Sequence, residues 1–311
     1  MITERIDNIT GIDAEHLGTN IPAPKSVKIE LTGRCNFQCN FCASRQRLRD
    51  KKDMNWKFYT RIVKEMREAG VEELGLFYLG ESFLSPDLVN AIGYAKQVCG
   101  YPYTFLTTNG SIAYGQKVKE CMIAGLDSLK FSLNYASPEQ LEEIAGVKGS
   151  IFHRILDNIR SAKEARDAVA NETGHHCGLY ASYIQYNDEQ HKLMEPIIEE
   201  VRPYVDQIYA LPLYNQAALV PNAKAVQGNL GRYDNMREPL PCWSIFTEGH
   251  ISWDGKLSAC CFDHDGRFEM GNLNNQPFME AWNSVLFQEL RQKHLKKDVE
   301  GSVCEKCVAW S

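Results

Sequence analysis

Seven cysteines stand at spacings that could hold metal: Cys35, Cys39 and Cys42 within eight residues, and Cys242, Cys260, Cys304 and Cys307 toward the other end of the chain. Thiolates are the ligands of iron–sulfur clusters. A loop the size of the first set can wrap three corners of a cubane cluster, and no neighbouring cysteine or histidine completes it. One iron is then left without a protein ligand, as a site that binds and cleaves a small molecule requires. In the second set, Asp254-Gly255 signals a hairpin turn. That turn would fold the chain back so that Cys242 and Cys260 face one cluster, with Cys304 and Cys307 closing it. Four thiolates saturate a cubane, which suits electron transfer, structural support or substrate gating. Structural zinc, closed by four ligands, is the alternative for either set.

The elements that must position these cysteines alternate in type. Strands are expected over 26–31, 73–78, 103–107, 128–133, 179–185 and 207–213. Helices are expected over 56–69, 86–99 (with Ser85 as cap and Pro86 as first residue), 115–124, in stretches up to about 170, and over 188–201. This alternation argues for a parallel sheet curled into a partial (β/α)6 TIM-like barrel. Residues 215–241, punctuated by Pro221, Gly228, Gly231, Pro239 and Pro241, read as a connector. A hairpin over 249–253 and 256–261 and a helix over 277–294 follow. The expected organisation is an N-terminal extension (1–25), a barrel (26–215), and a connector with a small C-terminal cluster domain (216–311).

The chain has 311 residues, 24% of them charged, and a net charge of −6, so it carries no basic field for a nucleic-acid backbone. No run of about 18 apolar residues suggests a membrane span, and residues 1–20 lack a signal-peptide core. A cytoplasmic protein is expected, with neither nucleic acid nor membrane as partner. Eleven cysteines in a reducing compartment point to metal ligation, because disulfides are rare there. No internal repeat beyond the alternation and no low-complexity tract is present.

The Cys-x3-Cys-x2-Cys spacing in Arg34-Cys-Asn-Phe-Gln-Cys-Asn-Phe-Cys42, with aromatic Phe41 before the last cysteine, resembles the hallmark of the radical S-adenosylmethionine (SAM) superfamily. The resemblance implies a [4Fe-4S] cluster whose open iron chelates SAM, reductive cleavage to a 5′-deoxyadenosyl radical, and a flavodoxin-type or reductase electron donor. Leu79-Gly80-Glu81-Ser82 resembles the family's Gly-Gly-Glu motif for the SAM amino group, with Leu79 in place of the first glycine. Asn109 and Ser132 end the third and fourth strands, where the resemblance implies contacts to SAM or substrate. Asn109 also reads as a turn residue beside Gly110, and Lys148 as a carboxylate partner or a solvated lysine. The second set resembles the SPASM extension. Only four residues follow Cys307, so the shortened one-cluster form, the twitch domain, is expected, with two [4Fe-4S] clusters in all.

Cys261 neighbours a presumed ligand on a strand, where successive side chains face opposite ways. It is either a core residue or a thiol that returns hydrogen to a substrate radical in epimerisation. Without such a thiol, dehydrogenation would pass the electron to the auxiliary cluster. Asp263, His264 and Asp265 are candidates for substrate contact or for a solvated loop. Cys99, Cys121 and Cys177 need no role beyond packing. Because about 25 residues precede the first strand, the expected substrate is a small polar molecule (a sugar, aminocyclitol or nucleotide sugar), with a ribosomal peptide as the alternative. The segment 211–215 reads as a substrate-side edge without an assigned role. A non-catalytic iron–sulfur or zinc protein is the remaining alternative, disfavoured because a carrier needs no SAM pocket.

Overall fold

The computed structural model describes residues 1–46, 48–185, 188–213, 216, 219–220 and 240–307. The expected connector therefore lies largely outside the described residues, as do Tyr214 and Asn215 of the 211–215 edge and the four residues after Cys307. One nine-stranded sheet runs in the order β6-β5-β4-β3-β2-β1-β7-β8-β9. Its strands are β1 (Ser26–Ile29), β2 (Glu73–Gly75), β3 (Tyr103–Thr108), β4 (Ser128–Ser132), β5 (Gly178–Gln185), β6 (Gln207–Pro212), β7 (Glu248–Ile251), β8 (Lys256–Ser258) and β9 (Glu269–Asn272).

The first six strands are parallel and consecutive neighbours, as the alternation requires. Among the described residues neither edge strand, β6 nor β9, pairs with a further strand, so the barrel is partial. The faces toward the helices are sealed by Val27, Ile29, Leu74, Leu106, Leu129 and Leu179, all buried. The opposite faces carry polar groups such as Lys28, Lys130 and Tyr209, which line a lumen. Helices α2 (Trp56–Glu68), α3 (Leu88–Gly93), α4 (Gly115–Ala124), α5 (Pro138–Ala145), α6 (Ile151–Thr173) and α7 (Asp188–Val201) make the crossovers. Local signals start two of them: Asn55 accepts from Phe58 N ahead of α2, and Ser137 accepts from Gln140 N ahead of α5 with Pro138 at its first position.

The C-terminal segment joins this sheet. β7 pairs in parallel with β1, and β8 turns back on β7 through Gly255, whose φ of +83° suits glycine. The hairpin is as expected; β9, antiparallel to β8, was not. The strand expected over 256–261 ends at Ser258, because a register shift falls there and Ser258 Oγ bonds both the Cys260 carbonyl and the Cys260 N–H. Cys260 and Cys261 therefore sit on a turn, and the alternating-face argument does not apply to them.

Three other expectations shift. The helix expected over 86–99 begins at Leu88, since Ser85 Oγ accepts from Asp87 N and closes a short turn first. The helix over 277–294 splits into α9 (Phe278–Trp282) and α10 (Val285–Leu295), with Ser284 capping the second through Phe287 N. Directly ahead of β7, α8 (Ser244–Thr247) adds a single turn. The N-terminal extension contains α1 (Ile2–Thr10), which covers the N-terminal ends of the strands. Arg5 pairs with Glu73 and lies 3.1 Å over the Tyr103 ring, while Gln207 donates to Thr3 Oγ1 at 2.8 Å.

Candidate functional site

The first cysteine loop leaves β1 at the C-terminal end of the barrel and is held on both sides. Arg34 donates to both Asp53 oxygens at 2.8 Å and to the Leu84 carbonyl at 3.1 Å. On the far side, Gln38 N and Asn40 N donate to Ala145 O and Ile144 O at 2.8 and 2.7 Å. These are the last carbonyls of α5, which have no intrahelical partner. Cys42 N closes back on Cys39 O at 3.1 Å. The loop's shape is thus set by backbone bonds, and Cys35, Cys39 and Cys42 remain free thiols within it.

Burial pushes the Cys35 thiol up to about 12, and it raises Cys39 and Cys42 in the same direction. Cys39 feels the charges of Cys42 and Cys35, and Cys35 those of Glu81 and Cys42; among the described residues no other thiol joins the group. Such thiols lose their protons only to a strong cation, so metal loading would expel them. Zinc–sulfur bonds of about 2.3 Å would draw tetrahedral thiolates to roughly 4 Å apart. Among the described residues, the only His, Cys, Asp or Glu trio whose ligand atoms all lie within 4.8 Å of one another is Asp13, Glu15 and His16. No three thiols of either cysteine set lie that close together, so neither is arranged as a compact zinc site.

Gly80 and Glu81 press against this loop. A Cβ on Gly80 would collide with the Thr32 carbonyl oxygen and come within 2.8 Å of Arg34 O, so only glycine fits. Glu81 N donates to Arg34 O at 2.8 Å. Its carboxylate is buried and accepts from Thr108 Oγ1, Asn109 N and Phe83 N at 2.8, 2.7 and 3.2 Å. Burial raises its pKa despite these bonds, and among the described residues no cation is bonded to it. The structure thus spends Glu81 partly on fixing the end of β3, and leaves a carboxylate that an ammonium would help to ionise.

Asn109 makes the turn read in the sequence, its Oδ1 accepting from Ser111 N at 3.0 Å, and it also reaches the cysteine loop through Asn36 Oδ1 at 2.9 Å. Asn36 completes the circuit by donating to Ser111 Oγ at 2.8 Å. Neither Asn36 nor Ser111 was anticipated; a second polar residue inside the Cys-x3-Cys loop was the available signal. Ser132 ends β4, half-buried, and its hydroxyl has no hydrogen-bond partner among the described residues. Phe41 packs on the core beside the last loop cysteine. Lys148 is exposed, as a solvated lysine would be.

The second set assembles from three separate segments. Cys242 feels the thiols of Cys307 and Cys261, Cys304 those of Cys242 and Cys307, and Cys260 those of Cys261 and Cys307. Burial pushes Cys242 up to about 12 and raises Cys304 further. Buried Arg291 fastens α10 to its surroundings by donating to Ile245 O, Thr19 O and Trp282 O at 2.9 to 3.0 Å. Beside it, His294 Nδ1 accepts from Cys242 N at 3.1 Å, and Tyr78 OH donates to Cys260 O at 2.8 Å. The barrel and the C-terminal thiols are therefore tied by direct bonds.

Cys261 is the fifth cysteine of this group. It lies outside the apolar core, hydrogen-bonded to Cys260, with His250, Lys28 and Glu248 acting on it. Lys28 and Glu248 line the lumen, and Cys261 is not among the lumen-lining residues. Asp263 and His264 are buried and only Asp265 is exposed, so the solvated-loop reading holds for Asp265 alone. Cys121 and Cys177 are buried in the core and Cys99 packs against it.

The profile of the radical SAM superfamily matches residues 29–195, and that of SPASM, an iron–sulfur cluster-binding domain, matches residues 242–308. A PqqA peptide cyclase from Xanthomonas campestris is 25% identical over 294 residues, covering 85% of this chain and 75% of its own. A probable GTP 3′,8-cyclase from Saccharolobus solfataricus is 32% identical over 140 residues, 44% of this chain and 43% of its own. Among solved structures, BtrN in complex with AdoMet and 2-DOIA is similar with a TM-score of 0.62 at 14% identity, covering 91% of this chain and 92% of its own. Streptococcus suis SuiB bound to the precursor peptide SuiA is similar with a TM-score of 0.66 at 16% identity, covering 93% of this chain and 71% of its own. At such identities the likeness is one of fold.

Proposed function

Because the chain belongs to the radical SAM superfamily, we propose that it cleaves SAM reductively at the Cys35–Cys39–Cys42 loop and acts on a C–H bond of a small polar molecule, by dehydrogenation or epimerisation. The cluster and SAM, when bound, supply a 5′-deoxyadenosyl radical that removes a hydrogen atom from the substrate. The protein's share is placement. Cys35, Cys39 and Cys42 would hold the SAM-binding cluster with three thiolates, one fewer than its irons. Gly80 keeps the second-strand loop close enough for its backbone to meet the methionine end of SAM. Glu81 offers a carboxylate to the amino group while it holds Asn109 in place, and Asn109 and Ser132 face the same end of the barrel. Cys242, Cys260, Cys304 and Cys307 would hold the auxiliary cluster, which would supply one-electron transfer there. An external reductase or flavodoxin-type protein supplies electrons.

One observation carries this reading: three half-buried thiols in a preformed loop at the C-terminal end of β1, beside a buried carboxylate to which, among the described residues, no cation is bonded. Anaerobic reconstitution with iron and sulfide, followed by SAM and dithionite, tests it. The expected result is 5′-deoxyadenosine release that disappears in Cys39→Ala; no release from wild-type protein overturns it. A small substrate is supported by BtrN, whose complex holds 2-DOIA and whose length this chain matches nearly whole. The peptide reading is supported by the PqqA peptide cyclase and by SuiB with SuiA. Incubation with small polyols or with peptide, scored by deuterium transfer into deoxyadenosine, separates the two.

A further inference from the structure

At the C-terminal end of the barrel a second, small recess of about 20 Å³, room for a group about the size of a water, opens between the first cysteine loop and the turn that follows Cys260. Gly33 and Leu79, just past β1 and β2, form one wall, Arg49 and Lys51 another, and His264 the side nearest the auxiliary thiols. The floor is already set. Glu30, buried, accepts from Arg49 at 2.8 Å and from Trp253 N at 3.0 Å. Lys51 donates to Ser44 O at 2.9 Å and acts electrostatically on Cys35, Cys42 and His264. The recess thus lies within reach of both cysteine sites.

His264 is the odd member. It is 5% exposed, yet its imidazole makes no hydrogen bond among the described residues; only its backbone N–H does, to Phe262 O at 2.9 Å. Its ring nitrogens are not among the fully enclosed polar atoms that lack a partner, so the little exposure the residue keeps includes them, and they open on the recess. Burial, with Arg49 and Lys51 nearby, holds the ring neutral by lowering its pKa to about 3. A neutral imidazole offers one N–H donor and one bare nitrogen acceptor. A carboxylate would answer only the donor, and an ammonium would face two cations. A hydroxyl answers both.

We infer that His264 is a substrate-binding residue, and that its recess is a subsite for a hydroxyl group of a small uncharged or weakly charged polyol. This rests on the radical SAM reading above and narrows its substrate class. The test is calorimetric titration of anaerobic, SAM-saturated holoenzyme with myo-inositol, scyllo-inositol and D-glucose, and with cyclohexanecarboxylate and inorganic phosphate as anions lacking an alcohol. At least one hydroxylated probe is expected to bind, with affinity at least tenfold weaker in His264→Phe and partly restored in His264→Gln, which keeps a donor and an acceptor. Iron content and thermal melts establish that each variant is folded. Binding by none of the three, equal binding to the variants, or binding of the anions alone overturns the inference. So does a tenfold loss of SAM affinity in both variants, which would give the recess to the cofactor. Deoxyadenosine release by wild-type protein is scored separately: its absence ends the underlying reading, whereas its presence with indifferent polyol binding ends only this one.

Discussion

The two cysteine sites are built in opposite ways. Cys35, Cys39 and Cys42 come from one short loop whose shape is fixed by local bonds and by two carbonyls of α5. Cys242, Cys260, Cys304 and Cys307 come from three segments, which meet because β7 adds to β1 and Arg291 holds α10 in place. A contiguous loop can reach three corners of a cubane and leave the fourth bare. Closing all four needs chain arriving from several directions. In the proposed assignment the difference in construction is also one of chemistry, three thiolates for the cluster that would bind SAM and four for the one that would only carry electrons.

The largest expected effect sets the two sites against each other. Cys39→Ala should abolish deoxyadenosine release, whereas Cys304→Ala should remove about half of the bound iron, two cubanes being equal in iron, and still release deoxyadenosine. Iron analysis beside chromatography of the products reads both. If the two variants behave alike, the distinction between open and closed sites fails.

Two glycines sharpen the comparison through stability. Gly80→Ala should cost about 1–3 kcal/mol, because the added methyl meets the rigid carbonyls of Thr32 and Arg34. Gly255→Ala should cost about 1–2 kcal/mol from its left-handed backbone. Urea unfolding of metal-free protein measures both, and Gly80→Ala alone should also weaken SAM binding.

Acid sensitivity comes next. His264 has its pKa lowered to about 3 by burial, against 6.5 when unfolded, so the unfolded chain takes up a proton that the folded one refuses. Stability should therefore fall as pH drops from about 6.5 toward 3, by at most about 1.4 kcal/mol per unit. His264→Gln should flatten that slope in pH-dependent urea titrations; an unchanged slope would show that His264 is not the group responsible.

The smallest structural effect is expected for Cys261→Ala. Iron content should stay at the wild-type level, since Cys260 is the proposed ligand. If the reaction is epimerisation, the variant should lose net inversion; if dehydrogenation, it should keep turnover. Loss of auxiliary iron would instead make Cys261 a ligand.

The same contrast explains what the sequence revealed. Spacing alone marked the first loop, because its geometry is local. The parallel barrel followed from alternation, and the hairpin from Asp254-Gly255. The joining of β7 to β1 was hidden, since nothing in Glu248–Ile251 names its partner strand. The turn at Cys260 was hidden too, because Ser258 competes with the ladder for backbone groups and a strand pattern does not reveal that. Helix α1 looked like a polar extension; its role depends on Glu73, Tyr103 and Gln207, distant in sequence. Burial of His264 and the Arg49–Glu30 pair likewise arise only when the cysteine loop meets the C-terminal turn.

The central claim is that one cluster has a bare iron and the other does not. Electron paramagnetic resonance of anaerobically reduced protein, recorded with and without SAM, tests it most directly. Two reduced-cluster signals are predicted, one of which shifts on adding SAM while the other stays fixed. Signals that both ignore SAM, or zinc in place of iron at Cys35, Cys39 and Cys42, would contradict the account.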